Sequence, residues 1–273
     1  MESPKLNGKN NKTTYFELNN LLNIPKDGTI QLDKDKEAVR AYFKEYVNKN
    51  TVFFYTLEEK LNYLIENNYI KEDFLNKYSK SFIKKVFKKI YNKKHRFSSF
   101  MGAYKFYSQY AMRTDDGEKF LERYEDRLAF NALGLAKGDE GLAMDLADEL
   151  INQRYQPATP TFLNIGKKRA GEMVSCFLLT VSDDMNAIGR SINSALQLSK
   201  LGGGVGINMS NVRANNDPIK GVYGLADGVV PIMKMYEDAF SYANQGGARD
   251  GAGVVYLNVF HPDIIEFLSV RKE

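Results

Sequence analysis

The spacing of apolar positions changes partway along the chain and divides it in two. From about Asp33, the residues Val39, Tyr42, Phe43, Tyr46 and Val47 fall at i, i+3, i+4, i+7 and i+8, one stripe that predicts an amphipathic helix. Leu57, Leu61, Leu64 and Ile65 repeat the stripe behind Thr56-Leu-Glu-Glu59, which reads as a capping box. Phe82, Ile83, Val86, Phe87, Ile90 and Tyr91 form a third stripe, with Ser79 or Ser81 as its cap, and Phe100, Tyr104, Tyr107 and Ala111 a weaker fourth. Two more helices fill 118 to 154, separated by Lys137-Gly-Asp-Glu-Gly141, with Leu142, Leu146 and Leu150 on the second. Ahead of all these, residues 1 to 14 are polar and rich in Asn and Lys, which predicts a frayed terminus.

Near residue 155 the pattern turns to strands. Tyr155-Gln-Pro-Ala-Thr-Pro-Thr-Phe-Leu-Asn164 carries two prolines that oppose helix interior. A short apolar run at about 173 to 180, with Cys176 inside it, reads as a buried strand. Ser182-Asp-Asp184 then opens a helix carrying Met185, Ile188, Ile192, Ala195 and Leu196, followed by Gly202-Gly-Gly204 and the strand Val205-Gly-Ile-Asn-Met209. A second long helix, about 226 to 242 with Val229, Met233, Tyr236 and Phe240 inward, precedes a glycine-rich loop, Gly246 to Gly253, and a strand over 254 to 259. Strand and helix alternate, so a parallel α/β arrangement is expected. The domains are expected at 15 to 155 and 156 to 273.

Composition narrows the chemistry. With 273 residues and 43% hydrophobic content the chain has enough apolar surface for a sizeable core. No run approaches a membrane span and the start lacks an apolar signal core, so a cytosolic location is expected. A net charge of +4 sets up no global field toward nucleic acid, and the lysine pairs of 84 to 94 read as a solvated helix face. One cysteine excludes an internal disulfide and a cysteine-rich zinc module. Two histidines, His95 and His261, have no partner at ligand spacing, and no convincing serine triad occurs.

Both glycine clusters lie where a helix passes into a strand, the reverse of a Rossmann fingerprint, and no P-loop motif occurs. Such loops serve equally as tight turns or as backbone approaches to a ligand. Arg249 lies inside the second loop, where it reads as a surface cation or a ligand to a base or phosphate, and Arg213 lies in a polar turn after the second strand with surface cation as its plain alternative. Asp183 and Asp184, just before a helix, read on position alone as an N-cap and a first-turn acid. A lone cysteine is most often buried packing, but Cys176 lies on a strand followed by two glycine-rich loops.

Four stretches carry a family resemblance: Pro157-Ala-Thr-Pro-Thr-Phe-Leu-Asn164, Gly171-Glu-Met-Val-Ser-Cys-Phe-Leu-Leu179, Gln197-Leu-Ser-Lys-Leu-Gly-Gly-Gly204 and Ala243-Asn-Gln-Gly-Gly-Ala-Arg249. Together they closely resemble the large, catalytic subunit of class Ib ribonucleoside-diphosphate reductases, and Leu121-Glu-Arg-Tyr-Glu-Asp-Arg127 fits the helical domain of the same family. The resemblance implies an N-terminal all-helical domain followed by the first part of a ten-stranded α/β barrel, about three strands of it here. It implies that Cys176 is one thiol of the redox pair that reduces the ribose 2′ position. Thr159, Ser175 and Gly204, with Cys176, match substrate-binding positions. Asp183, Met185, Arg213 and Ile219 match the allosteric specificity-effector site, which sets aside the N-cap reading of Asp183. Gln245, Gly246, Gly247 and Arg249 match the loop that links effector identity to choice of base.

By the same resemblance, no cofactor binds this chain directly. Deoxynucleoside triphosphates or ATP act as effectors, and the radical comes from a small subunit holding a manganese or iron pair. An external thioredoxin or glutaredoxin-like protein restores the thiols, and the complete large subunit is expected to be a homodimer. No activity-controlling ATP cone is expected. The radical-forming cysteine, the third cysteine and the assisting glutamate and asparagine of the family have no match before Glu273. A separate chain carrying the C-terminal part is therefore expected, and with it instability of this chain alone. An inactive nucleotide-binding remnant is the competing reading. A cobalamin-dependent reductase, which shares the barrel and the cysteine strand, is a third, although Leu201-Gly-Gly-Gly204 and the helical domain fit class Ib better.

Overall fold

The computed structural model describes residues 14 to 22, 32 to 169, 171 to 243 and 251 to 271. The terminus expected to fray lies outside them up to residue 13, as do Gln245, Gly246, Gly247 and Arg249 of the expected specificity loop. The chain forms two compact units that divide at Ala170 and Gly171, after the two-proline segment rather than before it.

The first unit is helical. It contains α1 (Thr14–Leu22), α2 (Leu32–Tyr42), α3 (Leu57–Glu66), α4 (Lys80–Asn92), α5 (Phe100–Lys105), α6 (Tyr124–Ala136), α7 (Glu140–Ile151) and α8 (Thr159–Asn164). Helices α2 and α5 each continue into a π-helical turn, Phe43–Val47 and Phe106–Tyr110. The stripes become its core: Leu64, Ile83, Val86, Phe87, Ile90, Phe100 and Tyr107 are buried there. Tyr91 departs from its stripe, because its ring lies at the surface while its hydroxyl donates to Asp126 Oδ1 at 2.8 Å.

The caps follow the local chemistry. Thr56 Oγ1 accepts from the Glu59 amide at 3.1 Å, and Glu59 reaches back one residue further than the standard box, to the Tyr55 amide at 2.9 Å. Ser79, not Ser81, caps α4. Lys137, at φ 51°, takes the left-handed position after α6, and Asp139 caps α7. The two prolines admit a short helix after all, since Pro160 stands in the first turn of α8, where no amide donor is needed.

The second unit is a strand–helix repeat: β1 (Cys176–Thr180), α9 (Met185–Lys200), β2 (Gly204–Asn208), α10 (Val229–Tyr242), β3 (Ala252–Tyr256) and α11 (Ile264–Ser269). The strands are parallel in the order β1-β2-β3, with Cys176 beside Gly204 and Gly204 beside Ala252. An all-helical domain followed by the start of a parallel α/β sheet is thus the architecture, as expected. Helices α9 and α10 cover one face, where Val205 and Ile207 of β2 share a core with Tyr236 and Phe240 of α10.

Four expectations change in this unit. The cysteine strand is not buried: it lies at a sheet edge, Cys176 is exposed, and Leu178 is 82% exposed. Helix α10 begins at Val229 rather than near residue 226, because Gly228 at φ 73° breaks the helical backbone. Strand β3 starts at Ala252 and takes in Gly253, whose missing side chain makes room for the Phe240 ring. Met185 stands outside the apolar stripe of α9, 80% exposed at its first position.

Candidate functional site

Alternate residues of a strand face opposite sides of its sheet, so half-burying Phe177 and Leu179 on one side turns Cys176, Leu178 and Thr180 to the open face. The sheet register carries this face across to Gly204 and Ala252 beside the thiol, then to Gly206 and Val254, then to Asn208 and Tyr256. At the cysteine level both neighbours are small. Their size leaves a shallow floor on which a ligand can lie against the sulfur without meeting a side chain. One level on, Leu178 and Tyr256 lean over Gly206, where a Cβ would stand 2.8 and 3.1 Å from them, and these two side chains border the floor. The Gly204 amide donates to the Ser175 carbonyl at 2.7 Å, which fixes the backbone on either side of the thiol.

The second cluster lies where β1 passes into α9. Asp184 is the helix cap, accepting from the Ala187 amide at 2.8 Å, which leaves Asp183 free of that task. Asp183 binds Arg213 twice, Oδ2 accepting from Nε at 2.8 Å and Oδ1 from the backbone amide at 3.2 Å. Arg213 Nη1 also donates to the Pro218 carbonyl at 3.1 Å, and Ile219 pairs with Val222 in the turn that follows. Asp183, Arg213 and the 218–219 turn are therefore one hydrogen-bonded group, with each charged side chain about one-third exposed. Met185 lies two residues from Asp183 and is exposed.

Thr159 belongs to the helical unit, as the first residue of α8. Its hydroxyl is exposed and lies 3.2 Å from the Tyr110 hydroxyl. Behind α8, the fully buried Arg127 donates to the Leu163 and Ile165 carbonyls, and Asn131 donates to the Phe162 carbonyl at 3.2 Å. Glu122, also buried, stands 3.2 Å from Arg127 and accepts from the Met112 amide. Burial lowers the Arg127 pKa, and Glu122 works against that shift. Lys167 donates to the Tyr110 carbonyl at 3.1 Å, and burial pushes its pKa down to about 8.

The sequence reading did not single out Tyr110, Asn131 or Lys167, and it named Arg127 only as the end of the Leu121-Glu-Arg-Tyr-Glu-Asp-Arg127 stretch. Tyr110 and Lys167 meet partners about fifty residues away, so no local spacing marks them. Arg127 and Asn131 did leave a signal, two polar residues four apart on one helix face within the apolar stretch of α6. Both histidines are structural: His261 is buried between the Val212 carbonyl and the Asp263 amide, and His95 packs against Tyr124 with its pKa lowered by burial. Among the described residues no group of three His, Cys, Asp or Glu is placed to hold a metal, and no helix is long and apolar enough to cross a membrane.

Three domain models match the chain in succession: a ribonucleotide reductase N-terminal model over residues 15–95, an all-alpha domain model over 96–170 and a barrel domain model over 174–273. Over 264 residues the chain is 54% identical to a ribonucleoside-diphosphate reductase subunit alpha of Bacillus subtilis, covering 97% of this chain and 38% of that protein. It is 44% identical over 270 residues to the corresponding subunit of Mycoplasma pneumoniae, covering 99% and 37%. It is 34% identical over 165 residues to the large chain of Cryptosporidium parvum, covering 60% and 20%. The chain thus spans well under half the length of these relatives.

Proposed function

The chain belongs to the ribonucleotide reductase family, and from that premise we propose that it supplies the helical domain and first barrel strands of a class Ib large subunit. The reaction is reduction of ribonucleoside diphosphates to deoxyribonucleoside diphosphates, in the cytoplasm. It requires the residues that lie in the remaining length of the relatives. The observation that carries this reading is the presentation of Cys176 on an open sheet face over the small residues Gly204 and Ala252.

On that floor the ribose lies against the sulfur. The C2′–O bond breaks and the hydroxyl leaves as water. Two electrons come from Cys176 and a second thiol outside this sequence, which join as a disulfide. A thioredoxin or glutaredoxin-like protein then restores the pair, and a dimetal small subunit starts the radical step. Ser175 and Gly204 hold the substrate through backbone and hydroxyl groups, and Thr159 holds its diphosphate. Asp183, Met185, Arg213 and Ile219 bind the deoxynucleoside triphosphate or ATP effector, a reading supported by the hydrogen bonds that join Asp183, Arg213 and the 218–219 turn. Gln245, Gly246, Gly247 and Arg249 transmit effector identity, and the complete subunit works as a homodimer.

The test is reduction of cytidine diphosphate with dithiothreitol by this chain, a downstream barrel fragment and a metal-loaded small subunit. Turnover that disappears in Cys176→Ser supports the proposal. Fragments that associate and fold, bind a deoxynucleoside triphosphate and yet never turn over would leave a nucleotide-binding remnant instead. Turnover that requires adenosylcobalamin and not the dimetal subunit would remove the class Ib assignment.

A further inference from the structure

Thr159 has one hydroxyl proton, and a diphosphate offers only acceptors. For Thr159 to donate that proton to a phosphate oxygen, its own oxygen must accept its second hydrogen bond from elsewhere. The group at that position is the Tyr110 hydroxyl, 3.2 Å away. A tyrosine O–H directed at Thr159 Oγ1 leaves the threonine proton pointing outward. Thr159 is exposed, so without this partner the hydroxyl rotor would be free to turn to water.

The tyrosine is itself held at two points. Its ring meets Phe162 edge to face at 5.6 Å, and its carbonyl accepts from Lys167 Nζ at 3.1 Å. Lys167 is anchored by the backbone on either side, where Lys71 donates to the Gly166 carbonyl and Lys168 to the Tyr69 carbonyl. The far end of α8 is fixed as well, since Arg127 and Asn131 take up the carbonyls of residues 162, 163 and 165. Short helices of this kind have little stability of their own, so these side chains set where Thr159 stands. We infer that Tyr110 is a positioning residue for the substrate diphosphate: it donates to Thr159 and so directs the threonine proton at the anion, with Lys167 holding Tyr110 in place. This inference builds on the substrate-binding reading of Thr159.

The experiment is equilibrium binding of cytidine diphosphate to this chain assembled with a downstream barrel fragment, for the unmodified protein, Thr159→Val, Tyr110→Phe and the double variant. Tyr110→Phe keeps the ring against Phe162 and removes only the donor. Expected is a loss of affinity of about fivefold, the effect of one hydrogen bond, with the thermal midpoint unchanged. The double variant should bind no more weakly than Thr159→Val alone, because Tyr110 acts through Thr159. Additive losses in the double variant, or a Tyr110→Phe protein that binds as the unmodified one while Thr159→Val is impaired, would overturn the positioning role and leave the reading of Thr159 intact. Binding that Thr159→Val does not alter, or no binding at all, would remove that reading and the role of Tyr110 with it.

Discussion

Lys167 is a cation that folding places at a disadvantage. Burial holds its folded pKa to about 8 against an ordinary 10.5, with Glu122 pulling the other way and Arg127 adding to the depression. Between those two values the unfolded chain binds the proton more tightly than the folded one, so stability rises with pH across the window. Below about pH 8 the full cost of the buried charge is present, on the order of 3 kcal/mol. Urea unfolding of the chain followed from pH 7.5 to 9.5 should show this gain, and Lys167→Met should abolish it. A Lys167→Met protein with the same pH slope would assign the gain to another group. Glu122 bears on the same cluster from the opposite side. Removing it in Glu122→Ala leaves the Arg127 guanidinium buried without its carboxylate, and the expected loss is about 3–5 kcal/mol in urea unfolding. Replacing both residues by apolar side chains of similar volume should recover much of that loss.

At the scale of elements, a buried carboxylate near the end of the chain holds the second unit's connections together. Asp263 accepts from the Asn215 amide at 2.9 Å and the Val229 amide at 3.2 Å, so it ties the segment before α11 to the polar turn and to the first residue of α10. Gly228 makes this possible, since a Cβ there would stand 2.4 Å from Asp263 Oδ2. Asp263→Ala leaves two backbone donors unpaired and should cost about 2–3 kcal/mol, whereas Asp263→Asn, which keeps one acceptor, should lose less. Equal losses in chemical unfolding would show that the carboxylate accepts nothing specific. None of this was legible in the sequence, because the partners lie 34 and 48 residues apart. What was legible is local: the stripes of α2, α3 and α4, the Thr56 cap, and the passage from a 3.6-residue period to alternating strands and helices. Among candidate residues, motif order singled out Cys176, Thr159 and Arg213 for the proposed roles, while the partners of Thr159 and the exposure of Cys176 depend on contacts that no window of sequence contains.

For the molecule as a whole, the open sheet face is the feature that demands a cover. Leu178, Val254 and Tyr256 are 82%, 49% and 52% exposed on it, beside a free thiol, and among the described residues β1 and β3 are the edge strands of the sheet. Exposed apolar surface of this kind, with open parallel edges, favours association with whatever strand or side chain is available. A barrel that closes over the face would bury those side chains and admit only a ligand that fits the Gly204 and Ala252 floor. Cys176 reports on that closure directly, because thiol alkylation depends on access to the sulfur. In this chain alone, a small maleimide should react with Cys176 at the rate of an open thiol. On titration with a downstream barrel fragment, the rate should fall by roughly an order of magnitude, and a cytidine diphosphate load should slow it further. A rate that stays constant while the two polypeptides demonstrably associate would mean that they meet elsewhere and leave the face open, and the assignment of Cys176 to a closed reductive site would then fail. A fall in rate for the unmodified protein, together with weaker cytidine diphosphate binding and unchanged association in Cys176→Ala, would support a place for the thiol at the substrate site under that cover.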